Sequence, residues 1–334
     1  MATPHRPAPT SLVVSGLPLD IYGLPLHSPT PSSPPRKLAI LFLLHGRMQH
    51  CRNGPVPDLA HAILSTAQEH RAKGEDGRDV LVVAFDQRNH GHRTVERERN
   101  LGWSEGGRAN KERRKEKGMR EDEVDNVSHA ADMCAIQTGT ARDVSLLIDF
   151  LPPLLFPNDE RTVDKWMCAG VSLGGHATWL ALAHEPRITL GVPIIGSPSC
   201  LSLLTHRASH LSPPIGPLPT SAPFFPASFV ALMRSLDPAL VDKVEEKMEG
   251  KDVLVLSGGE DELVSYEKGG SGEFVQRLRG RRAGVTEAWV QEGVGHACTP
   301  EMIACTAAFV WQYGLRLDGA SSGSGSGSGA RGKM

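Results

Sequence analysis

The sequence predicts an α/β fold with a mostly parallel central sheet flanked by helices. Apolar runs typical of buried strands recur along the chain, and segments long enough for helices separate them. These runs lie at residues 38–46, 79–86, 166–172, 192–196, 252–258 and 287–293. The first run, LAILFLLHG, is apolar at consecutive positions and lacks the alternation of a half-exposed strand. Such a pattern indicates a sheet that is covered on both faces.

Three intervening segments carry helical signals. Residues 57–73 and 140–151 place apolar side chains at helical spacing, so that each would bury one face. Residues 299–314 begin with Thr-Pro-Glu, which is typical of a helix start with proline at the first helical position. Helices in these places would connect parallel strands.

Size and composition favour one elaborated domain. The chain has 334 residues, of which 40% are hydrophobic and 22% are charged, and its formal net charge is −2. A charge so close to zero gives no reason to expect a nucleic acid partner. No apolar run reaches the 18 residues of a membrane span, and the N-terminus lacks the apolar core of a secretory signal, so we expect a cytoplasmic protein.

The six cysteines are scattered without CxxC spacing, and we interpret them as reduced thiols. They are Cys51, Cys134, Cys168, Cys200, Cys298 and Cys305.

Composition also suggests how the chain is divided. An N-terminal segment, 1–36, contains a possible opening strand or hairpin and then a Pro/Ser-rich loop at 24–36. The main α/β domain would span 37–318, and a flexible Gly/Ser tail would follow at 319–334. Two insertions interrupt the α/β alternation: a charged segment at 96–123, expected to be a solvated loop or exposed helix, and a lid-like segment at 200–250.

The clearest chemical signal is Gly170-Val171-Ser172-Leu173-Gly174-Gly175. It follows an apolar strand, and the next residues can form a helix. A G-x-S-x-G in this strand–turn–helix context is typical of a nucleophile elbow, where a tight turn lifts the serine hydroxyl above the sheet edge. Ser172 is therefore the candidate nucleophile.

A serine hydroxyl needs a base to take its proton, and the base needs a third group to hold its tautomer. His296 follows the last predicted strand and is the candidate base. Asp261 follows the strand at 252–258 and is the candidate orienting acid, with Glu260 and Glu262 as rivals. All these residues come at the carboxyl ends of strands, where open α/β sheets place their sites.

These segments resemble the α/β-hydrolase superfamily over about residues 38–315. The late motifs of that family, G-x-x-D-x-x-V and G-x-x-H, match the segments around Asp261 and His296. A finer likeness, to esterase-like hydrolases related to the prolyl-oligopeptidase type, rests on GVSLGGHATW (170–179) and on HAADMCAIQTGTARDVSLLIDFLP (129–152). The resemblance implies an α/β-hydrolase fold with a small lid insertion and a catalytic order of Ser, Asp, His.

The resemblance also implies an oxyanion hole. One donor would be the backbone N–H of Leu173, and the other that of Arg47, with Met48 as the alternative, in the loop after His45-Gly46. Substrate-pocket candidates are Met48 and three aromatic residues of the lid-like segment, namely Phe224, Phe225 and Phe229.

A metal site was weighed at the H-x-H of His90 and His92. No further ligands follow at a spacing known for zinc, and the family often has D-x-R-G-H-G here, where it shapes a turn. We therefore expect a structural turn and neither a metal nor a cofactor.

Together these features predict a serine hydrolase that cleaves a carboxylic ester, thioester or lactone of a small-molecule acyl substrate. The alternatives are a serine peptidase of the prolyl-oligopeptidase type and a non-catalytic ligand-binding protein with the same fold. The sequence carries no signal for an oligomeric state.

Overall fold

The computed structural model describes residues 8–24 and 37–317. Its strands form one eight-stranded sheet in the order β1-β2-β4-β3-β5-β6-β7-β8. β3 to β8 are parallel, whereas β1 and β2 run antiparallel to their neighbours. The strands are β1 Thr10–Val14, β2 Leu17–Tyr22, β3 Leu38–Leu44, β4 Asp79–Phe85, β5 Val163–Val171, β6 Ile188–Ile194, β7 Asp252–Gly258 and β8 Thr286–Gln291.

Helices cover both faces of this sheet. Those of the described residues are α1 Val56–Ala72, α2 Arg108–Glu116, α3 His129–Leu155, α4 Leu173–His184, α5 Cys200–Ser209, α6 Ala227–Leu236, α7 Val244–Lys247, α8 Ser271–Arg279 and α9 Pro300–Phe309. A π-helical turn, Val310–Leu315, continues α9. The predicted fold class is confirmed, and each predicted strand and helix is present, with shifted ends in all of them except β7.

The two sheet faces explain the apolar runs. Every residue of β3 and β4 is buried, because α3 and α4 pack on one face of this part of the sheet while α1 packs on the other. A strand buried on both sides needs apolar residues at consecutive positions.

The opening segment forms the β1–β2 hairpin, whose second strand pairs with β4. The Pro/Ser-rich loop predicted at 24–36, except for its first residue, and the tail predicted at 319–334 lie outside the described residues.

The charged segment at 96–123 contains α2 and short 3-10 turns. Arg114 pairs with Asp125 at 2.9 Å, and Arg113 donates to the same carboxylate. Burial raises the pKa of Asp125, but hydrogen bonds from the Glu105 N–H, Arg114 and Asn110, together with the charge of Arg114, outweigh burial and leave that pKa below its usual value. The ion pairs therefore tie this charged helix to the loop that follows it.

The segment at 200–250 is largely helical, with α5 packed against both α3 and α6. Cys200 at the start of α5 forms a disulfide with Cys134 of α3. The prediction that all six cysteines are reduced thiols is therefore wrong for these two. Scattered spacing hid the pair because 66 residues separate the partners, and only the folded chain brings them together.

Across residues 8–24 and 37–317, no helix combines the length and apolar character that crossing a membrane requires.

Candidate active site

Ser172 lies in a strained turn between β5 and α4. Its backbone has φ 55° and ψ −110°, a region that costs a non-glycine residue about 1–3 kcal/mol. The Ser172 N–H donates to the carbonyl of Ile194 at 2.9 Å, which ties the turn to β6. The turn thus holds the hydroxyl at the carboxyl edge of the sheet.

Glycines make this turn possible because the backbones of β3, β5 and α4 come into direct contact there. A Cβ at Gly174 would collide with the carbonyl of Leu44, and one at Gly170 would collide with the carbonyl of Gly174. The Gly174 N–H also donates to the carbonyl of His45 at 3.0 Å. The G-x-S-x-G pattern therefore reflects close packing of α4 on β3 and β5.

Gly174→Ala should destabilise the protein by about 1–3 kcal/mol, because the added methyl group must displace backbone and cannot simply rotate away. Urea denaturation followed by circular dichroism measures this loss. Gly106→Ala is the matched control, since a Cβ there would meet no atom within 4 Å. Equal stability of the two variants would contradict the close packing.

A hydrogen-bonded chain of three side chains begins at Ser172. Its Oγ lies 2.8 Å from Nε2 of His296, which sits in the loop after β8. Nδ1 of the same ring lies 2.7 Å from Oδ2 of Asp261, in the loop after β7. The structure thus brings together three residues that lie at the carboxyl ends of three parallel strands.

Asp261 is separated from its two rivals by burial. Its side chain is fully buried, whereas Glu260 and Glu262 are exposed. Its Oδ1 accepts the backbone N–H groups of Leu263 and Val264 at 3.0 and 2.8 Å. Burial alone would raise the pKa of Asp261, but the hydrogen bonds from His296 and these amides outweigh burial and hold the pKa below its usual value. The carboxylate therefore stays ionised beside the imidazole.

The two expected oxyanion donors flank Ser172. Leu173 is the first residue of α4, and the loop of Arg47 lies beside Ser172, because a Cβ at Gly46 would be 3.7 Å from Cβ of Ser172. Within residues 8–24 and 37–317, the N–H groups of Leu173 and Arg47 have no protein acceptor. Both amides are therefore available to a ligand.

His45 anchors the loop that carries Arg47. Its Nε2 accepts the N–H of Gln87 at 2.9 Å, which assigns the proton to Nδ1, and Nδ1 donates to the carbonyl of Gly46 at 2.8 Å. Burial lowers the pKa of His45 to about 4, so the ring is neutral. It positions the loop and does not contact Ser172 as a base.

Buried histidines should make the fold acid-sensitive. Burial lowers the pKa of His45 and His176 to about 4 and that of His129 to about 3. The unfolded chain then binds more protons below about pH 6.5, so stability falls as pH drops from there towards 4. Burial raises the pKa of Asp237 to about 6, so protonation of this one carboxyl stabilises the folded state as the pH falls below 6. This single group only partly offsets the effect of the three histidines.

The measurement is the free energy of unfolding in urea at pH 7.5, 6 and 5. We expect a decrease of on the order of a few kcal/mol, with a shallower slope for His45→Asn. A flat profile would contradict the neutral, buried state of these rings.

Two cavities that share lining residues lie at the site. The smaller, of about 40 Å³, is lined by Ser172 and Leu173, and the larger, of about 950 Å³, by Asp261. The walls of the smaller cavity come mainly from α3 and α5, with His129, Met133 and Gln137 on one side and Cys200, Leu203, Leu204 and Arg207 on the other. Sequence reasoning missed these walls, although both sets recur at helical spacing of three or four residues.

The expected pocket residues lie elsewhere. Phe225 is fully buried and packs on Trp103 with ring centres 5.6 Å apart, and Phe229 packs on Phe225. Phe224 and Met48 line two other cavities that do not include Ser172. The aromatic residues of the insertion form its own small core, so they stabilise it instead of lining the site.

The H-x-H segment forms a turn. The Asp86 carboxylate accepts the N–H groups of Cys51 and His92 at 2.8 and 2.7 Å, and it also contacts Nδ1 of His92. His90 Nδ1 contacts the carbonyl of Arg88. Both histidines therefore take part in hydrogen bonds that stabilise this turn.

Comparison with known proteins supports the architecture. The chain is similar to TT1662 from Thermus thermophilus, with 19% identity, 91% of this chain and 96% of that chain covered, and a TM-score of 0.55. It is also similar to Est1E from Butyrivibrio proteoclasticus, with 15% identity, 92% and 98% covered, and a TM-score of 0.51. No protein-family profile and no curated protein matches the sequence. Similarity at these identities establishes the architecture, and the chain has the α/β-hydrolase fold.

Proposed function

We propose that this protein is a serine hydrolase that cleaves a carboxylic ester, or a thioester or lactone, through an acyl-enzyme on Ser172. The observation that carries the proposal is the continuous hydrogen-bond chain from Ser172 through His296 to Asp261, with distances of 2.8 and 2.7 Å. A nucleophile, a base and an orienting group in this order are what acyl transfer requires.

In the first half of the reaction, Nε2 of His296 takes the proton of Ser172 as Oγ attacks the substrate carbonyl. Negative charge develops on the carbonyl oxygen and is stabilised by the N–H groups of Leu173 and Arg47, each donor typically contributing about 3 kcal/mol. His296 then gives its proton to the leaving oxygen, and the C–O bond breaks.

In the second half, His296 takes a proton from water, and the resulting hydroxide attacks the acyl carbon. The proton returns to Oγ of Ser172 as the acid product departs. Asp261 remains ionised throughout and stabilises the imidazolium formed in each half. No cofactor takes part in these steps.

A ligand-binding role without turnover is the weaker proposal. It would give no reason for the backbone strain at Ser172 or for the buried carboxylate behind His296. Binding alone needs neither an aligned base nor an ionised orienting group.

The test uses p-nitrophenyl acetate and butyrate, together with a fluorophosphonate probe. We expect turnover of at least one ester and attachment of a single probe at Ser172, located by peptide mass spectrometry. A second sample denatured before labelling is the control for nonspecific reaction. No turnover of either ester and no labelling of the native protein at Ser172 would reject the proposal.

A further inference from the structure

Arg207 occupies the junction of the two cavities at the site. It lies on α5 and lines both the cavity that contains Ser172 and the larger one beside Asp261. The smaller cavity, about 40 Å³, has room for a group the size of one or two water molecules. Because Ser172 lines the smaller cavity, a short acyl group on its hydroxyl would occupy that cavity, and the leaving group would then extend into the larger cavity past Arg207.

The guanidinium of Arg207 has hydrogen bonds on one side alone. Nε donates to the carbonyl of Leu263 at 2.9 Å, and Nη2 donates to the same oxygen. Nη1 has no acceptor, and no carboxylate lies within 4 Å of the guanidinium, among residues 8–24 and 37–317. Neighbouring Arg47 differs, because it is neutralised by Glu105 and also bonds the carbonyl of Asn100.

Because Arg207 is half-buried, its unpaired charge destabilises the folded protein. Burial first, and then the nearby Arg47 cation, lower the pKa of Arg207 to about 10, so the group is still protonated at neutral pH. The carboxylates of Asp261 and Glu105 attract this cation from more than 4 Å away, but they already pair with His296 and Arg47. Arg207 therefore has no counter-ion of its own, and an anionic group of a ligand could supply one. A guanidinium that offers a free edge binds a carboxylate with good geometry.

The same junction holds buried polar atoms without partners. Nδ1 of His129 and Oε1 of Gln137 make no hydrogen bond within the described part of the chain, although both residues line the smaller cavity. A buried polar atom that is left unpaired destabilises the protein. These two atoms are therefore available to polar groups of water or of a ligand in the cavity.

Resting on the proposed function, we infer that the preferred substrates are esters whose leaving group carries a carboxylate, which Arg207 binds through its free edge. The exposed Glu260 and Glu262 also line the larger cavity, and solvent screens them. Recognition is thus local to Arg207 and does not come from a general positive field. Arg207 acts as a specificity residue and takes no part in bond breaking.

The kinetic test compares 4-acetoxybenzoate with its neutral methyl ester, methyl 4-acetoxybenzoate, by the release of the phenol. Replacement with Arg207→Gln should lower the ratio of the two kcat/KM values, charged over neutral, by at least about ten-fold, mainly through KM. Arg207→Lys keeps the charge and should retain part of the ratio. Lys268→Gln, which removes an exposed cation from the same cavity, should change the ratio by less than about two-fold.

Equal losses with both substrates in Arg207→Gln would mean that Arg207 only ties α5 to Leu263, and the inference would be overturned. Calorimetric titration of the Ser172→Ala protein with 4-hydroxybenzoate and 4-hydroxybenzamide tests binding without turnover or any change at Arg207. We expect at least about ten-fold tighter binding of the carboxylate, and equal affinity would also overturn the inference. Tighter carboxylate binding in a protein that hydrolyses neither ester would instead reject the proposed function and keep the anion site.

Discussion

Ser172→Ala should reduce kcat for p-nitrophenyl ester hydrolysis by at least about 10⁴-fold and leave the fold intact. The substitution removes the one oxygen that lies 2.8 Å from Nε2 of His296, so no acyl-enzyme can form. Alanine has no hydroxyl and is no larger than serine, so it can adopt the same turn between β5 and α4. The measurement is initial rates at saturating substrate, with fluorophosphonate labelling on the same samples.

Ser235→Ala is the matched control, since this serine lies at the end of α6 and its hydroxyl bonds the carbonyl of Leu232. It should keep full activity and full labelling. Thermal unfolding of both variants verifies that they remain folded. Activity of Ser172→Ala close to that of the unmodified protein would remove Ser172 from the mechanism and leave only the fold.

Asp261→Asn should lower kcat by about 10⁴-fold through the tautomer of His296. In the unmodified protein, the carboxylate accepts a hydrogen bond from the Nδ1–H of His296 at 2.7 Å, which leaves Nε2 free to receive the proton of Ser172. An amide NH₂ facing Nδ1 favours the opposite tautomer, in which Nε2 already carries hydrogen. Rates against pH, together with the fluorophosphonate labelling rate, measure the loss.

Glu260→Gln and Glu262→Gln are matched controls that remove a neighbouring negative charge. Both carboxylates are exposed, so each substitution should change kcat by less than about three-fold. If one of them proved as damaging as Asp261→Asn, that glutamate would be the orienting group and the observed contact of Asp261 would be secondary. The three substitutions therefore decide between adjacent carboxylates.

The hydrogen-bond geometry also explains why the sequence alone cannot decide which of Asp261, Glu260 and Glu262 is the orienting acid. Three consecutive acidic residues follow β7, and spacing alone cannot say which carboxylate turns inward. In the folded loop, the amides of Leu263 and Val264 bind Oδ1 of Asp261 and aim Oδ2 at His296. The orientation of this carboxylate depends on the backbone conformation of the loop, which the residue pattern does not specify.

The linear pattern of residues was enough to predict the sheet, its covering helices and the nucleophile turn. These features depend on interactions between near neighbours in the chain: consecutive apolar residues in β3 and β4, and glycines at fixed offsets from Ser172. A long strand that is apolar at consecutive positions must be covered on both faces, so several such strands in one chain strongly restrict the possible folds.

The walls of the cavity, the Cys134–Cys200 disulfide and the unpaired charge of Arg207 became visible in the folded chain alone. Each depends on how α5 packs against α3, two helices whose facing residues lie about 70 positions apart in sequence. The sequence predicts Phe225 in the substrate pocket, but its ring packs against Trp103 in a small hydrophobic cluster of the structure. Helical spacing in the sequence marks one face of each helix, but packing and charge balance in three dimensions decide which helix faces which, and the sequence pattern does not specify that choice.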